Sequence, residues 1–93
     1  GGGGYGLNGR SLVREGKKVQ QDCNQEGRVF VKIVVDQNGN VISATPGVKG
    51  TTNMAKCLLD PAKKTALTYK WNVDEKAPPQ QVGFVVVDFK LSE

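Results

Sequence analysis

The chain has no histidine, and its nine acidic residues are scattered. Histidine is the commonest general base and a frequent metal ligand, so its absence removes most familiar catalytic and zinc-binding arrangements. Two carboxylates already have structural explanations, because Asp36 suits a turn and Asp60 suits a helix start. The two cysteines are too few for a zinc site. The sequence therefore predicts no catalytic residue, no metal site and no cofactor, and we do not expect an enzyme.

Long apolar runs and aromatic residues are also scarce. No stretch approaches the roughly 18 apolar residues that a membrane-spanning helix requires. Trp, Tyr and Phe together make up 6% of the 93 residues. The formal net charge is +4, but the basic residues include separate doublets, Lys17-Lys18 and Lys63-Lys64, rather than one patch interleaved with aromatics. Nucleic-acid binding is therefore not expected, and the length fits one small domain with a modest core.

The clearest positive pattern is a β-hairpin in residues 27–48. Its turn is predicted at Asn38-Gly39, because this pair readily supplies the positive φ angles of a two-residue primed turn. Such a turn pairs Gln37 with Asn40. From there the register predicts apolar pairs on one face of the hairpin, namely Val35–Ile42, Ile33–Ala44, Val31–Pro46 and Val29–Val48.

After the hairpin, apolar residues recur at helical spacing, at Met54, Leu58, Ala62, Ala66 and Tyr69. Within this stretch Asp60-Pro61 is typical of a helix start, with a capping aspartate followed by proline at the first helical position. We therefore predict the main helix at Pro61–Tyr69. The residues before it form either a second short helix that meets it at Asp60 or the first part of one helix bent there.

Residues 80–91 alternate in the manner of a strand, and we expect its apolar side to face the helix with Val85, Val87, Phe89 and Leu91. A right-handed crossover through the helix places this strand antiparallel beside the first hairpin strand, whose two partly apolar faces suit a central position. The predicted fold is α+β: a split β-α-β with a three-stranded antiparallel sheet, ordered second–first–last, and a helix packed on one face. Ser11–Arg14 is the candidate for a fourth short N-terminal strand.

The glycine-rich residues 1–9 are expected to be the end of a linker, which leaves residues 10–93 as a single domain. Glu15–Gln21 is polar and is expected to be a loop. The sheet face away from the helix should carry an apolar patch. Either Tyr5–Val13 covers that patch, or the patch binds a second copy or another partner. Its predicted members are Phe30, Val34, Phe84 and Val86.

The two cysteines, Cys23 and Cys57, allow two interpretations. They are either two buried free thiols or a disulfide, and a disulfide is expected if the protein resides in an oxidising compartment. Cys23 lies just before the first hairpin strand and Cys57 lies near the predicted helix, so the two could approach one another. The bond would stabilise the fold by roughly 3–4 kcal/mol in the chain-entropy description.

The outer edge of the last strand has no partner in the predicted sheet. Strand edges either need protection or accept an incoming strand from another protein. Protective charges occur only near the end of this strand, at Asp88 and Lys90, and no proline falls within residues 80–91. This edge is therefore a candidate surface for protein binding.

Several of these stretches, taken together in order, resemble the C-terminal domain of TonB-type energy transducers over residues 25–91. The matching segments are Glu26-Gly27-Arg28-Val29, Val35-Asp36-Gln37-Asn38-Gly39-Asn40-Val41, Ala62–Ala66 with Tyr69-Lys70-Trp71, and Val82–Leu91. The glycine tether, the opening Tyr5-Gly-Leu-Asn-Gly-Arg10 and the cysteine pair are similar to the variant found in Bacteroidetes-type envelope proteins.

The resemblance implies a periplasmic domain, tethered to the inner membrane by an upstream segment and driven there by a motor of the ExbB–ExbD kind. It also implies docking on outer-membrane TonB-dependent receptors, whose plug segment adds as a strand to the last strand. The residues at this edge would be Gln81, Val82, Gly83, Phe84, Val85, Val86 and Val87. The alternative is a structural or dimerising cell-envelope domain without energy transduction.

Overall fold

The computed structural model describes residues 4–91. Four strands lie side by side in one sheet in the order β1-β6-β3-β4, and β2 and β5 form a separate two-stranded sheet. All of the strand pairs are antiparallel. The elements in chain order are β1 (Tyr5–Gly6), β2 (Leu12–Arg14), β3 (Gly27–Val35), β4 (Val41–Pro46), α1 (Lys56–Leu67), β5 (Lys70–Trp71) and β6 (Gln81–Phe89).

This arrangement confirms the predicted α+β class and the split β-α-β, in which β4 leads through α1 to β6 and β3 lies between them. The sheet has a fourth short N-terminal strand, which the prediction allowed for, because β1 lies beside β6. That fourth strand is not Ser11–Arg14. Leu12–Arg14 does form a strand, but it pairs with β5 in the smaller sheet.

The core lies between α1 and one face of the larger sheet. Successive side chains of a strand point to opposite faces, so alternate residues of β3 all reach the same layer and are fully buried there: Val29, Val31, Ile33 and Val35. The buried helix residues that pack in this core include Leu58, Ala62 and Ala66, and those of β6 are Val85, Val87 and Phe89. Leu91 was predicted in this layer and is instead 54% exposed, since β6 ends at Phe89.

The hairpin turn differs from the predicted two-residue turn. The N–H of Gly39 donates to Asp36 O (3.1 Å), and the N–H of Asp36 donates to Asn40 O (3.0 Å), so the loop has three residues. Gly39 has a φ of +85°, whereas Asn38 is outside the positive-φ region. This is a type I turn followed by a glycine bulge. The Asp36 carboxylate stabilises it by accepting the N–H of Asn40 (2.9 Å).

The three-residue loop changes the register only near the turn. Val35 pairs with Val41 instead of the predicted Ile42, and a bulge follows, after which Ile33–Ala44 and Val31–Pro46 pair as predicted. The predicted pair Val29–Val48 is absent, because β4 ends at Pro46. Beyond it the chain bends, and the N–H groups of residues 47 and 48 both donate to the same carbonyl of β3.

The helix begins five residues earlier than Pro61, at Lys56, and contains that proline in its interior. Asp60 is therefore not the cap, and its carboxylate lies 2.6 Å from the ammonium of Lys56 one turn earlier. The chain enters the helix at Ala55, whose N–H donates to the side chain of Asn53 (2.9 Å). Of the predicted alternatives, a single continuous helix is observed. It ends at Leu67, so Tyr69 lies beyond it.

Candidate functional site

The larger sheet has two sides on which a further strand could add. On the β4 side, a bulge occurs next to Val41 and the strand stops at Pro46. Beyond Pro46, the threonine hydroxyls at positions 51 and 52 accept the β3 N–H groups of Phe30 (3.0 Å) and Arg28 (2.8 Å). Bulges and prolines are the means by which natural sheets blunt their edges. The β6 side is therefore the better candidate for strand addition.

On its inner side, β6 pairs with β3 along its whole length, from Gln81↔Val35 to Phe89↔Gly27. In an antiparallel pair, alternate residues direct their N–H and C=O groups to opposite sides. The N–H of Val86 donates to Gly4 O (2.7 Å), which identifies the even-numbered residues as those that face outward. The outward groups of β6 thus belong to Val82, Phe84, Val86 and Asp88.

The middle of this outer edge is already occupied by the chain's own N-terminal segment. β1 pairs antiparallel with β6 at Tyr5↔Val85 and Gly6↔Phe84. The expectation that the outer groups of the last strand lack a partner was therefore wrong for these positions. Residues 5 and 6, which the sequence assigned to a linker, belong to the sheet. Glycine has a low strand propensity and a two-residue strand has no periodicity, so no pattern in the sequence predicts β1.

Three side-chain positions hold β1 in place. The ring of Tyr5 lies 5.7 Å from that of Trp71 and 6.2 Å from that of Tyr69, between centroids. Leu7, the next residue but one, is only 6% exposed and belongs to the core. Between them, Gly6 lies so close to the ring of Phe84 that an added Cβ would be 2.4 Å from its Cε1 atom. The aromatic residue therefore packs beside two other rings, the glycine lies against the Phe84 ring, and the aliphatic residue enters the core.

A buried arginine closes the end of this segment. The guanidinium of Arg10 donates to Gln81 Oε1 (3.0 Å), to Asp36 O (3.1 Å) and to the backbone and side-chain oxygens of Asn72 (2.5 and 3.3 Å). Gln81 in turn donates through Nε2 to Asn8 O (2.6 Å). We call these residues, Asn8, Arg10, Asp36, Asn72 and Gln81, the Arg10 clasp. All of the guanidinium's acceptors in it are uncharged oxygens.

Arg10 has no sequence pattern that predicts a structural role, although its position is unusual. It is 9% exposed, and charged residues are seldom so buried unless they are paired. Its acceptors lie between 26 and 71 residues away along the chain. No local pattern can indicate contacts at that distance.

The far end of the β6 edge is partly covered by the segment that was predicted to be a loop. Its backbone follows the end of α1, with the N–H of Lys17 donating to the hydroxyl of Thr68 and the N–H of Val19 to that of Thr65. The ammonium of Lys18 then donates to the outward carbonyl of Asp88. A charged side chain on an edge disfavours pairing at that point.

The predicted edge residues thus have different surroundings. Val85 and Val87 are buried in the core, Val82 and Phe84 are 59% and 42% exposed on the opposite face, and Val86 is buried. Of the segment Tyr5–Val13, which was predicted as a cover for that opposite face, Gly6 lies against the ring of Phe84, but Tyr5 does not cover the face. Tyr5 pairs with core-facing Val85, so its side chain lies on the helix side of the sheet.

The disulfide interpretation is confirmed, because Cys23 and Cys57 are bonded with their Cα atoms 6.2 Å apart. The bond joins the segment before β3 to the second residue of α1. It therefore fixes the start of the helix against the segment that precedes β3.

The two aromatic residues next to Tyr5, Tyr69 and Trp71, each carry a polar group that is buried or partly buried. Burial raises the pKa of the Tyr69 hydroxyl, and the nearby Glu15 and Tyr5 raise it further. The indole N–H of Trp71 is buried without a hydrogen-bond partner in residues 4–91.

Within the same residues, no three His, Cys, Asp or Glu side chains are grouped to bind a metal, and no helix is long and apolar enough to cross a membrane.

Comparisons of the chain with models of known families, with curated proteins and with solved structures found no match. The resemblance to TonB-type C-terminal domains therefore depends on the sequence pattern described above.

Proposed function

We propose that this domain is a protein-binding module that receives an extended peptide as an added strand along the outer edge of β6. One observation carries the proposal. β6 pairs with β3 at nine successive positions, whereas on its other side the pairs found within residues 4–91 are those of Tyr5 and Gly6. Added strands gain affinity from main-chain hydrogen bonds and specificity from alternate side chains. β3 holds β6 along its whole length, so the outward groups of β6 are positioned for an added strand wherever β1 does not already pair with them.

The resemblance assigns this activity to a TonB-type system. In that setting the incoming strand is the plug segment of an outer-membrane TonB-dependent receptor, and the domain transmits energy for nutrient uptake. Its proposed location is the periplasm, with an upstream anchor linked to an ExbB–ExbD-like motor. The Cys23–Cys57 disulfide supports an oxidising compartment of this kind. We propose a binding role without catalysis or a cofactor.

A structural or dimerising envelope domain is the second candidate. It is favoured by the exposed apolar side chains of Val82 and Phe84 on the sheet face away from α1. A second copy could cover this face, and a dimer formed through β6 would leave no edge for a receptor. Sedimentation velocity separates the two candidates, because a receptor-docking module is expected to be monomeric at micromolar concentrations.

Titration of the ¹⁵N-labelled domain with a receptor plug-segment peptide tests the main proposal. We expect the backbone amides of residues 82–87 to shift, because the new strand bonds to their outward groups. The matched control is the same peptide with proline at one bonding position, since proline has no N–H to donate. Shifts confined to the surroundings of the helix lysines would refute the proposal.

A further inference from the structure

We infer that a partner strand docks by replacing β1, and that its sequence must supply what Tyr5, Gly6 and Leu7 supply now: an aromatic residue, then glycine, then an aliphatic residue. The inference rests on the proposed strand addition and specifies its ligand. The partner is an extended segment of another protein that runs antiparallel to β6, in the direction of β1.

Replacement follows from the hydrogen bonds. The outward N–H of Val86 already donates to Gly4 O, and Phe84 is paired with Gly6. An ordinary strand has about five or six residues. A strand of that length along Gln81–Phe89 needs the same outward groups, so it and β1 cannot be bound at once.

The side chains around β1 define the sequence that fits. The position opposite Val85 lies beside the rings of Tyr69 and Trp71, which suits an aromatic side chain. The position opposite Phe84 favours glycine, because the Phe84 ring lies over it and a Cβ there would force that ring to move. The following residue enters the core, where Leu7 is now 6% exposed.

β6 itself is adapted to this neighbour. A Cβ at Gly83 would lie 2.5 Å from the carbonyl oxygen of Gly6 and 2.7 Å from the Leu7 side chain. The glycine in β6 thus creates the space into which the aliphatic residue fits. An incoming strand meets the same space, so its third residue is selected by the same cavity.

The internal strand competes with the partner. A segment joined by a short flexible linker acts at a local concentration in the millimolar range, and the Arg10 clasp keeps β1 close to its site. A separate peptide should therefore bind the unchanged chain weakly. It should bind more tightly when the contacts of β1 are reduced, provided that the rest of the sheet is intact.

The test uses the full chain and three peptides. The probe is Gly-Tyr-Gly-Leu-Asn-Gly-Arg, the sequence of residues 4–10. The first control peptide has valine in place of the glycine that corresponds to Gly6, and the second has alanine in place of tyrosine. Each is titrated into the ¹⁵N-labelled wild type and into the Tyr5→Ala variant. Tyr5 is 47% exposed, so its truncation should leave the remaining fold in place.

We expect the probe to bind Tyr5→Ala at least tenfold more tightly than the wild type, with shifts at residues 82–86. The valine peptide should bind at least tenfold more weakly than the probe, and the alanine peptide should also bind more weakly. Equal binding of the probe and the valine peptide would overturn the inference. So would shifts at the edge while the nuclear Overhauser effects between the chain's own Tyr5 and Trp71 rings persist in the wild type at saturating probe.

These results are distinguishable from a failure of the proposed function. If a receptor plug peptide shifts residues 82–87 and β1 stays in place, the inference fails and receptor docking stands. If the probe replaces β1 as expected but receptor peptides never bind, the exchange stands and receptor docking fails.

Discussion

Replacing Arg10 with methionine should destabilise the domain substantially. Arg10 makes four hydrogen bonds to neutral oxygens and is 9% exposed. Methionine retains much of the apolar stem but leaves the oxygens of Asp36, Asn72 and Gln81 without this donor. The change thereby isolates the hydrogen-bonding role of the guanidinium from its packing.

The magnitude follows from the number of bonds and their partial access to water. A hydrogen bond to a charged group contributes about 1.5–3 kcal/mol, but such contributions do not add fully. Some of the acceptors can also bond to water once the guanidinium is gone. We therefore expect the free energy of unfolding to fall by about 3 kcal/mol, which corresponds to about 12–24 °C in Tm for a domain of this size.

Urea unfolding followed by Trp71 fluorescence provides the assay, since this is the only tryptophan in the chain. Arg14→Met is the matched control, because Arg14 lies exposed on β2, and it should change stability by no more than about 0.5 kcal/mol. Arg10→Lys should recover only part of the loss, since one ammonium cannot span the acceptors of a planar fork. Equal stability of Arg10→Met and Arg14→Met would refute this account of the clasp.

Three further outcomes follow from other contacts. Gly39→Ala should lower the free energy of unfolding by about 3 kcal/mol or more, since its Cβ would lie 2.0 Å from Trp71 O at a φ of +85°. Gly9→Ala, with a φ of +72° but open space around its Cβ, should lower it by only about 1–2 kcal/mol. Equal losses of stability in urea unfolding would contradict the collision at Gly39. Reducing the Cys23–Cys57 bond should lower the urea midpoint by an amount equivalent to roughly 3–4 kcal/mol, and an unchanged midpoint would show that the bond adds no stability. Because the pKa of Tyr69 is raised in the folded state, this tyrosine ionises first in the unfolded chain as the pH rises past about 10, so stability present below that pH should be lost as the pH rises through the folded-state pKa. Tyr69→Phe should weaken this decline in the free energy of unfolding measured between pH 8 and 11. An equally steep decline in the variant would exclude Tyr69 as its source.

The features that sequence could predict are those that repeat along the chain. The buried layer of β3 follows from the period-two alternation of Val29, Val31, Ile33 and Val35, and the buried side of α1 from the spacing of Leu58, Ala62 and Ala66. Because each pattern extends over several residues, the strand order and the helix-covered face were both predictable. The disulfide was also open to prediction, as one of two alternatives.

The features that sequence could not predict depend on distant partners. Asn38-Gly39 is compatible with both the predicted two-residue turn and the observed three-residue turn. In the observed turn, the N–H of Trp71, far along the chain, donates to Gly39 O (2.9 Å). The helix start was misjudged because Asp60-Pro61 is a locally favourable cap. Leu58 is instead buried in the core as part of the helix, which begins before Asp60, at Lys56.

The candidate site shows the same division. The β6 edge was identified from its alternating sequence, but its occupation by Tyr5 and Gly6 was not, since a two-residue segment carries no periodic signal. Gln81 was named as an edge residue, but its hydrogen bond with Arg10 could not be predicted, because the two side chains meet across 71 residues of chain. Their effect on the edge becomes apparent only when the sheet is assembled.

The direction of β1 also determines how the domain responds to tension. β1 runs antiparallel to β6, with Gly4 beside Val86 near the end at which β6 stops. A force that pulls residue 4 away from the end of β6 therefore loads the bonds of β1 one after another rather than together. Peeling residues 4–9 would release a segment that is roughly 20 Å long at full extension. Arg10 would then bear the load, so the first contacts to yield are those that cover the edge of β6.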